Sequence, residues 1–578
     1  MKKLFIFTVI LLLGILVYGR TTYHIGPGQT YTSLGALPWL DLVAGDSVLI
    51  HWRTDPYREK IGLRSRGSES MRIVISGIPN SAGELPVISG ENATTSHHFD
   101  DYFSAEWDEY LGSILIKPEH ADPWGYKPGY ITIENLKFIK AHPSSTYYDV
   151  NGAAHKFDNG AGAIWAVIVE HFIVRNCVIT DNANGLFVLS KGGMDLGGEE
   201  VSSDVLVEKN YIYGNGNVGR DREHNIYIQA NGVTYQYNRI GRLRDNAIGS
   251  SLKDRSANTV VRYNWIESSA RAIDFVEAED APGILMQNPE YHNIYVYGNI
   301  IINNTSLGEP FSTSMIHYGG DTYEDNILKK GTLYFYNNTV FIKSQMSVAY
   351  YLRLFDCTSN QDTVVLYNNI AYRAGDSEFY LMNDYGVANI KGFNWINLTQ
   401  DSRAGFLGSV IKSGTILSSG TPGFANENGE NFSLISTSAC LNKSVALPSI
   451  PNTKYPLSME YQPHLKGKQK IITGTSIDLG AFEYSNGTFS GTQQILNSEL
   501  ECFPNPASGY INIKFQYQGY VPVTLKIADI TGKVVLRKEV DIHNGNIYNV
   551  DISKLSEGLY LIIIDTCSKR FVKKIQVY

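Results

Sequence analysis

Short stretches in which apolar and polar residues alternate recur between residues 130 and 375, and each contains an Asn. The Asn residues lie 26 to 41 residues apart, at Asn135, Asn176, Asn210, Asn238, Asn264, Asn299, Asn338 and Asn369. Period-two strands that recur at such intervals predict a parallel β-solenoid. A propeller or a sandwich is the alternative, but both need antiparallel hairpin turns between paired strands.

The recurring Asn has a physical explanation. At the bend between two strands its side chain can bond to neighbouring backbone, it tolerates left-handed geometry, and Asn residues of adjacent coils can stack in a ladder. Before these coils, residues 23–25 are a predicted strand and residues 33–42 a predicted short helix. That helix would cover the first coil, whose apolar interior has no neighbour on one side.

The composition agrees with an all-β protein and excludes some functions. The chain has 578 residues, with 38 Tyr and 53 Gly and few helical periods. Its net charge of −8 includes no basic block, so nucleic acid is not an expected partner. Five Cys residues are too few for a disulfide framework, although Cys502 and Cys567 could pair, and no Cys/His cluster indicates zinc.

Both ends of the chain differ from the solenoid. Residues 1–20 combine two Lys, an apolar run and a small-residue end, which predicts a secretory signal. An uncleaved membrane anchor is the alternative, although the run is short for a span, and we expect no other membrane segment. Residues 486–498 are a predicted linker and residues 499–578 a predicted small β-sandwich. We expect an exported monomer.

Ionisable residues concentrate at three successive stations within residues 222–280. Alternation along period-two strands predicts that one side chain in two points outward. The outward positions would be Asn225, Tyr227 and Gln229 in one coil, Ser251 and Lys253 in the next, and Asp274 in the third. Adjacent coils lie about 4.8 Å apart, so these side chains could contact one ligand, and Lys191 of an earlier coil could join them.

One chemistry that fits this cluster is elimination from a uronic-acid polymer. That reaction needs a base for the C5 proton and a cation for the charge that develops on the carboxylate. Lys253 is the candidate base, with Arg255 and Arg271 as carboxylate partners, because guanidinium binds both carboxylate oxygens. His224 completes the candidate catalytic set, and Lys191, Tyr227, Gln229 and Asp274 are the candidate substrate-binding residues. Each could instead be an ordinary surface or strand-end residue.

The carboxylates allow other interpretations. Asp274 and Glu277 could be the acid and base of a glycoside hydrolase. Glu277, Glu279 and Asp280 could bind Ca²⁺, the only cofactor that we consider. A third possibility is non-catalytic glycan binding or adhesion, in which Tyr227, Tyr263 and Trp265 would stack on sugars.

Two resemblances extend these predictions. Residues 21–485, with their Asn-punctuated coils and the late segment 478–484, resemble the right-handed parallel β-helix proteins of the pectate-lyase-like superfamily. Residues 499–578 resemble the type A sorting domain of the Bacteroidota type IX secretion system, through Pro504-Asn505-Pro506, Thr531-Gly532-Lys533 and Gly558-Leu559-Tyr560. This resemblance implies export across the outer membrane, a location outside the cell or on its surface, and the secretion machinery as a partner. A carbohydrate-binding sandwich is the alternative for this domain.

Residues 251–256, with Asn258 and residues 262–264, also look like the chondroitinase B and alginate lyase family of β-helix enzymes. That resemblance implies a polysaccharide lyase with Lys253 as base. The chain departs from the family in two places: Asn246 and Ile248 stand where the family has a calcium-binding Glu-x-Glu, and residues 276–278 stand where it has Arg-His-Gly. A lyase acting on a uronate-containing polysaccharide is the leading prediction, ahead of a hydrolase and of binding alone.

Overall fold

The computed structural model describes residues 20–100, 102–103, 108–192, 198–303, 314–322, 324–343, 352–375, 378–485, 500–515, 521–529, 532–542, 547–565 and 570–578. The predicted linker 486–498 and all of the predicted signal except Arg20 lie outside these residues.

Three long parallel sheets of 13, 11 and 11 strands run along the molecule, and successive coils of the chain add strands to them in turn. The strands of sheet 1 are Thr22–Ile25, Ser47–His51, Ile73–Ile78, Ile131–Glu134, Ile173–Arg175, Ser202–Glu208, Ala230–Gln236, Ala257–Arg262, Asn293–Tyr297, Thr332–Tyr336, Thr363–Tyr367, Val387–Ile390 and Ser409–Lys412. Those of sheet 2 are Ile61–Leu63, Gly112–Ile116, Gly162–Val167, Asn184–Leu189, Ile226–Ile228, Ser250–Asp254, Arg271–Phe275, Ser314–Tyr318, Leu352–Cys357, Phe379–Met382 and Gln400–Ser402. Those of sheet 3 are Val87–Ser89, Lys137–Ile139, Val178–Thr180, Tyr211–Tyr213, Arg239–Ile240, Trp265–Glu267, Ile300–Asn303, Thr339–Ile342, Ile370–Arg373, Phe393–Ile396 and Thr415–Leu417. This arrangement confirms the predicted parallel β-helix.

The remaining elements are short. A small sheet joins Ala93–Thr94, Thr146–Tyr148 and Ala154–Lys156, and two antiparallel pairs are Phe424–Asn426 with Asn431–Leu434 and Met459–Gln462 with Lys466–Gln469. The α-helical turns are Pro282–Leu285 and Ser449–Lys454, and the 3₁₀ turns are Leu34–Ala36, Trp39–Asp41, His97–Phe99, Glu109–Leu111 and Pro289–His292. The predicted cap at residues 33–42 is therefore two 3₁₀ turns rather than one helix, and Leu34 and Trp39 within them are buried in the apolar core.

The core lies inside the three sheets and consists of apolar rows in register. In sheet 2 one such row contains Ile226, Leu252, Ile273, Ile316 and Phe355, each paired with the next across neighbouring strands. All five are fully buried. Because strand side chains alternate, the residues next to this row point away from the core.

An asparagine ladder holds the corner between sheets 1 and 3. Its members are Asn210, Asn238, Asn264, Asn299, Asn338, Asn369 and Asn394, and each after Asn210 accepts the backbone N–H and a side-chain N–H of the Asn one coil earlier. Asn135 and Asn176 are not in the ladder, which differs from the prediction. They occupy the preceding left-handed position, with φ of 59° and 52°, and Cys177 follows at the ladder position. The left-handed geometry thus belongs to the residue before the ladder Asn.

The C-terminal strands form antiparallel sheets. They are Leu500–Ser508, Tyr510–Phe515, Val521–Asp529, Val534–Ile542, Ile547–Asp551, Gly558–Asp565 and Arg570–Val577. Buried Ile513, Leu525, Ile562 and Ile575 belong to a core of their own. The pairing of Cys502 with Cys567 stays a prediction, because Cys567 lies outside the described residues.

Candidate active site

A row of polar side chains crosses the outer face of sheet 2 in strict register. Tyr227 pairs with Lys253, Lys253 with Asp274, Asp274 with His317, and His317 with Asp356. The row is adjacent to the apolar row described above, so the alternation of the strands directs these side chains outward. The sequence predicted the first three members; His317 and Asp356 are new.

Asp274 is at the centre of the row and is almost completely enclosed by donors. Its Oδ1 accepts a hydrogen bond from His317 Nδ1 at 2.7 Å, and its Oδ2 accepts one from Ser250 Oγ at 3.1 Å. Oδ2 also lies 3.4 Å from Lys253 Nζ and 3.2 Å from an Arg271 nitrogen. Burial alone would raise the pKa of Asp274, but Lys253, Arg271 and His317 outweigh it and hold that pKa well below the ordinary value. Asp274 is therefore a fixed anion.

His317 presents its other ring nitrogen on the side away from Asp274. Because Nδ1–H donates to the carboxylate, Nε2 is the nitrogen that can accept a proton in the neutral ring. Nε2 lies 3.4 Å from Thr358 Oγ1, which is too long for a strong hydrogen bond. A carboxylate-oriented imidazole of this kind is suited to general base catalysis.

Asp321 places a carboxylate across two cations. It lies on the turn after strand Ser314–Tyr318, where one of its oxygens contacts Lys253 Nζ and the other accepts from an Arg255 nitrogen at 2.9 Å. Its side chain is 26% exposed, whereas those of Lys253 and Arg255 are 9% and 6% exposed. Burial would raise the pKa of Asp321, but the two cations lower it overall. Asp321 thus covers Lys253 and Arg255 from the solvent side.

Arg255 connects this turn to the segment after strand Arg271–Phe275. It donates to the Glu277 carbonyl at 2.9 Å and lies 3.4 Å from the Glu277 carboxylate and 3.1 Å from that of Glu279. Burial opposes its charge, but Tyr227, Asp321 and Glu279 together raise the pKa of Arg255 above its ordinary value. Arg255 is a permanent cation directed at this site.

Glu277 is a fully buried support for the Asp321 turn. Its carboxylate accepts the backbone N–H groups of Asp321 at 2.9 Å and Thr322 at 2.8 Å. Asp280 is mostly buried, and burial together with Glu279 raises its pKa to about 6. In the part of the chain that the structure describes, no group of three or more His, Cys, Asp and Glu side chains has a metal-binding arrangement. Glu277 is engaged by two amides and Arg255, and the calcium site at Glu277, Glu279 and Asp280 stays a prediction.

His224 lies at the edge of the cluster and is buried. Its Nδ1 accepts the Ser250 backbone N–H at 2.9 Å, so the neutral ring carries its proton on Nε2. Burial, followed by the charge of Lys253, lowers the pKa of His224 to about 3. The ring is therefore neutral throughout the physiological range, and a role for it in catalysis stays a prediction.

Several predicted positions differ in the structure. Asn225 does not point outward, because its carboxamide accepts from Asn215 inside a second corner ladder. Gln229 is fully buried and donates to the Asp280 carbonyl. Strand Ile226–Ile228 has only three residues, so alternation does not extend to its flanks. Ser250 rather than Ser251 contacts Asp274, and Ser251 donates to the Glu267 carbonyl.

Two groups of predicted binding residues are not brought to the cluster. Lys191 pairs through its backbone with Glu200 and has an exposed side chain, and the described residues give it no ion pair with the cluster. Tyr263 and Trp265 are 2% and 8% exposed, so neither ring offers a face to a sugar. Tyr227 does adjoin the cluster, with Arg255 5.9 Å from its ring centre.

Residues 501–578 match the family described as "Secretion system C-terminal sorting domain". A comparison with curated proteins finds no match. Alginate lyase from Paenibacillus sp. str. FPU-7 is a similar solved structure, at 13% identity over 61% of this chain and 94% of that one, with a TM-score of 0.38. The lacto-N-biosidase GH136 from Eubacterium ramulus aligns at 13% identity over 69% of this chain and 68% of that one, with a TM-score of 0.35. DFA-IIIase from Arthrobacter chlorophenolicus A6 aligns at 11% identity over 65% and 89%, with a TM-score of 0.37.

These structural likenesses carry no information about the residues of the site. Within the described ranges, no helix combines the length and the apolar character needed to cross a bilayer. The strand order shows the fold of the chain, and the family match identifies its C-terminal domain. It is a three-sheet parallel β-helix that carries a secretion-system C-terminal sorting domain at residues 501–578.

Proposed function

We propose that this protein is an exported enzyme that cleaves a uronate-containing polysaccharide by β-elimination. The observation that carries the proposal is the position of the Asp321 carboxylate, which lies on Lys253 and Arg255. The same Lys253 contacts Asp274, which orients His317. A pair of cations that holds a carboxylate beside an oriented base is the arrangement that elimination from a uronate requires.

The first step is recognition of the substrate carboxylate. A uronate carboxylate that replaced Asp321 would be bound by the Lys253 ammonium and the Arg255 guanidinium, both of which are largely shielded from water. Charge-assisted hydrogen bonds in such surroundings are strong. Neutralising the carboxylate makes the C5 proton of the sugar easier to remove, because the negative charge that develops spreads onto the carboxylate oxygens.

We assign proton removal to His317. Its Nε2 takes the C5 proton, while Nδ1–H remains bonded to Asp274, whose negative charge stabilises the imidazolium. The electron pair of the C5–H bond forms the C4–C5 double bond, the C4–O4 bond breaks, and O4 leaves with a proton returned by the imidazolium. Atoms and charge balance without a further reactant.

Lys253, the base predicted from the sequence, is better placed to bind the carboxylate. Its ammonium contacts the carboxylates of both Asp274 and Asp321, so Nζ lies where a substrate carboxylate would be bound. Lys253 as base remains as the competing assignment, which substitutions can separate from His317.

A hydrolase that uses Asp274 and Glu277 is less compatible with the geometry. The side chains of both residues are at most 1% exposed, and their oxygens are engaged by cations or amides. A hydrolytic acid and base must instead reach the glycosidic oxygen and a water molecule. Glycan binding without cleavage remains as an outcome of the test.

The sorting domain supports export as the cellular context of this activity. We propose that it delivers the β-helix through the type IX machinery to the cell surface or the medium, where polysaccharide substrates are found.

The test is incubation of the full chain with a panel of uronate polymers, including alginate, polygalacturonate, gellan and glycosaminoglycans. Elimination creates a conjugated C4–C5 double bond, which is followed by its ultraviolet absorbance, and new reducing ends are counted in parallel. The proposal expects both signals with the protein and neither with the double substitution Lys253→Ala/His317→Ala. New reducing ends without the absorbance would show a hydrolase, and retention of glycan without either signal would show a binding protein.

A further inference from the structure

The face that carries Lys253 continues onto two earlier coils as an apolar surface. Trp165 pairs with Phe187, Phe187 pairs with Tyr227, and Tyr227 pairs with Lys253, so these residues belong to one row. Two residues further along the same strands, Val167 pairs with Leu189. We call Trp165, Val167, Phe187 and Leu189 the apolar strip. They are the half-exposed residues of two strands whose other positions are all buried.

The aromatic members of this row are ordered by stacking. The ring centres of Trp165 and Phe187 are 4.1 Å apart with an angle of 15° between the planes, and those of Phe187 and Tyr227 are 4.5 Å apart with an angle of 9°. Trp165 and Phe187 are partly exposed, whereas Tyr227 at the end of the stack is 9% exposed. The result is a rigid apolar surface that loses little conformational freedom when it binds a ligand.

The charge on this face changes abruptly at Lys253. The apolar strip has no ionisable member, whereas Lys253 and Arg255 belong to the second coil after it and Arg271 to the third. A carboxylate placed over the strip would lose water without gaining a counter-charge from any member of the strip, which is unfavourable. A sugar without a charge has C–H surfaces that can pack on apolar side chains instead.

We propose that the apolar strip binds neutral sugar units of the same glycan whose uronate lies on Lys253 and Arg255. This inference rests on the proposed function and specifies its substrate class: a polysaccharide in which neutral sugars separate the uronates, rather than a polymer of uronates alone. The two coil steps from Trp165 to Tyr227 span roughly 10 Å, a length sufficient for about two sugar units.

The test compares two classes of polymer with the full chain. Gellan, with several neutral sugars for each glucuronate, represents the first class, and alginate and polygalacturonate represent the second. The wild-type protein is expected to have the higher kcat/KM on the first class. Phe187→Ala is expected to lower that kcat/KM about tenfold, the loss of one aromatic contact, and to leave the second class unchanged. Leu407→Ala, which removes a 65% exposed apolar side chain elsewhere, is the control.

The variant Phe187→Arg tests the opposite change in specificity. It adds a cation to the strip and is expected to raise kcat/KM on alginate or polygalacturonate while lowering it on gellan. A wild-type preference for polyuronates would overturn the inference. So would a ratio of kcat/KM on gellan to kcat/KM on polyuronates that is unchanged in both Phe187 variants. Absence of unsaturated product from every polymer would instead overturn the proposed function. If thermal unfolding shows that the Phe187 variants do not fold, Leu189→Ala and the wild-type preference decide the question.

Discussion

Asp274 and His317 form a buried pair, with Nδ1 of the imidazole 2.7 Å from Oδ1 of the carboxylate. They occupy equivalent positions on neighbouring strands, so the distance between them is set by the spacing of the sheet. The proposed base and its orienting anion are therefore held on paired strands of one sheet.

Substitution His317→Ala should lower kcat by about 10² to 10⁴, the usual contribution of a general base. Imidazole added to the solution should restore part of the activity, because it can occupy the space of the missing ring and accept the proton. His97→Ala, which removes a histidine with a 77% exposed side chain, is the control and should change nothing. Full activity in His317→Ala would remove His317 from the mechanism.

Lys253→Arg separates the two assignments of the base. If Lys253 only binds the substrate carboxylate, Arg should preserve the charge and retain measurable kcat, with a higher KM because the guanidinium is larger. Lys253→Ala should raise KM much further, since a buried site would then lose one of its two cations. Complete loss of kcat in Lys253→Arg, together with normal substrate binding by calorimetry, would identify Lys253 as the base.

Asp321→Asn should lower KM for an acidic glycan by a few-fold to about tenfold, because the substrate carboxylate would no longer compete with an internal one. Free glucuronate should also become a better inhibitor. The matched control is Asp325→Asn, four residues further along, whose side chain is 82% exposed and pairs with Lys330 at 2.5 Å. An increase in KM for Asp321→Asn alone would show that Asp321 binds the substrate instead of making way for it.

His224 should make the fold sensitive to acid. Its pKa is lowered from 6.5 to about 3 in the folded chain, so between these values the unfolded chain binds more protons. The free energy of unfolding should therefore fall as the pH falls through this window, by at most about 1.4 kcal/mol per pH unit. Above this pH window His224 is neutral in both the folded and the unfolded chain, so the loss of stability is absent.

The corresponding measurement is thermal unfolding of wild type and His224→Asn at about pH 7 and about pH 4.5. Asn retains an acceptor for the Ser250 N–H but does not titrate, so the loss of stability between the two pH values should be smaller in the variant. His97→Asn should behave like the wild type. Equal pH dependence in all three proteins would contradict the role of His224.

The β-helix was predictable because its two sequence signals correspond to the two interactions that hold the coils together. Period-two alternation reflects the buried apolar rows, and the recurring Asn reflects the hydrogen-bonded ladder. The sequence also predicted that Tyr227, Lys253 and Asp274 share one face, since their strands follow one another at short intervals. His317 comes 43 residues after Asp274, behind a longer insertion. Its signal was the alternation in residues 315–318 followed by two Gly, which marks a strand and a turn but not their register with earlier coils.

Asp321 could not be identified from periodicity at all. Its position depends on a turn whose two amides are held by Glu277, a contact between residues 44 apart that leaves no regular pattern in the sequence. The predicted outward position of Gln229 was wrong for a different reason. Strand Ile226–Ile228 has only three residues, and the alternation rule was extended one residue beyond it. Regular elements were predictable, whereas the loops that complete the site were not.

The constant register of the coils has a consequence for how substrates of different length are accommodated. Each coil adds one residue to the row and about 4.8 Å to its length. Insertion or deletion of a whole coil between Gly162–Val167 and Ser250–Asp254 would change the distance from the apolar strip to Lys253 while leaving both ends intact. On the proposed function, the length of glycan that reaches from the apolar strip to Lys253 would therefore change in steps of one coil spacing.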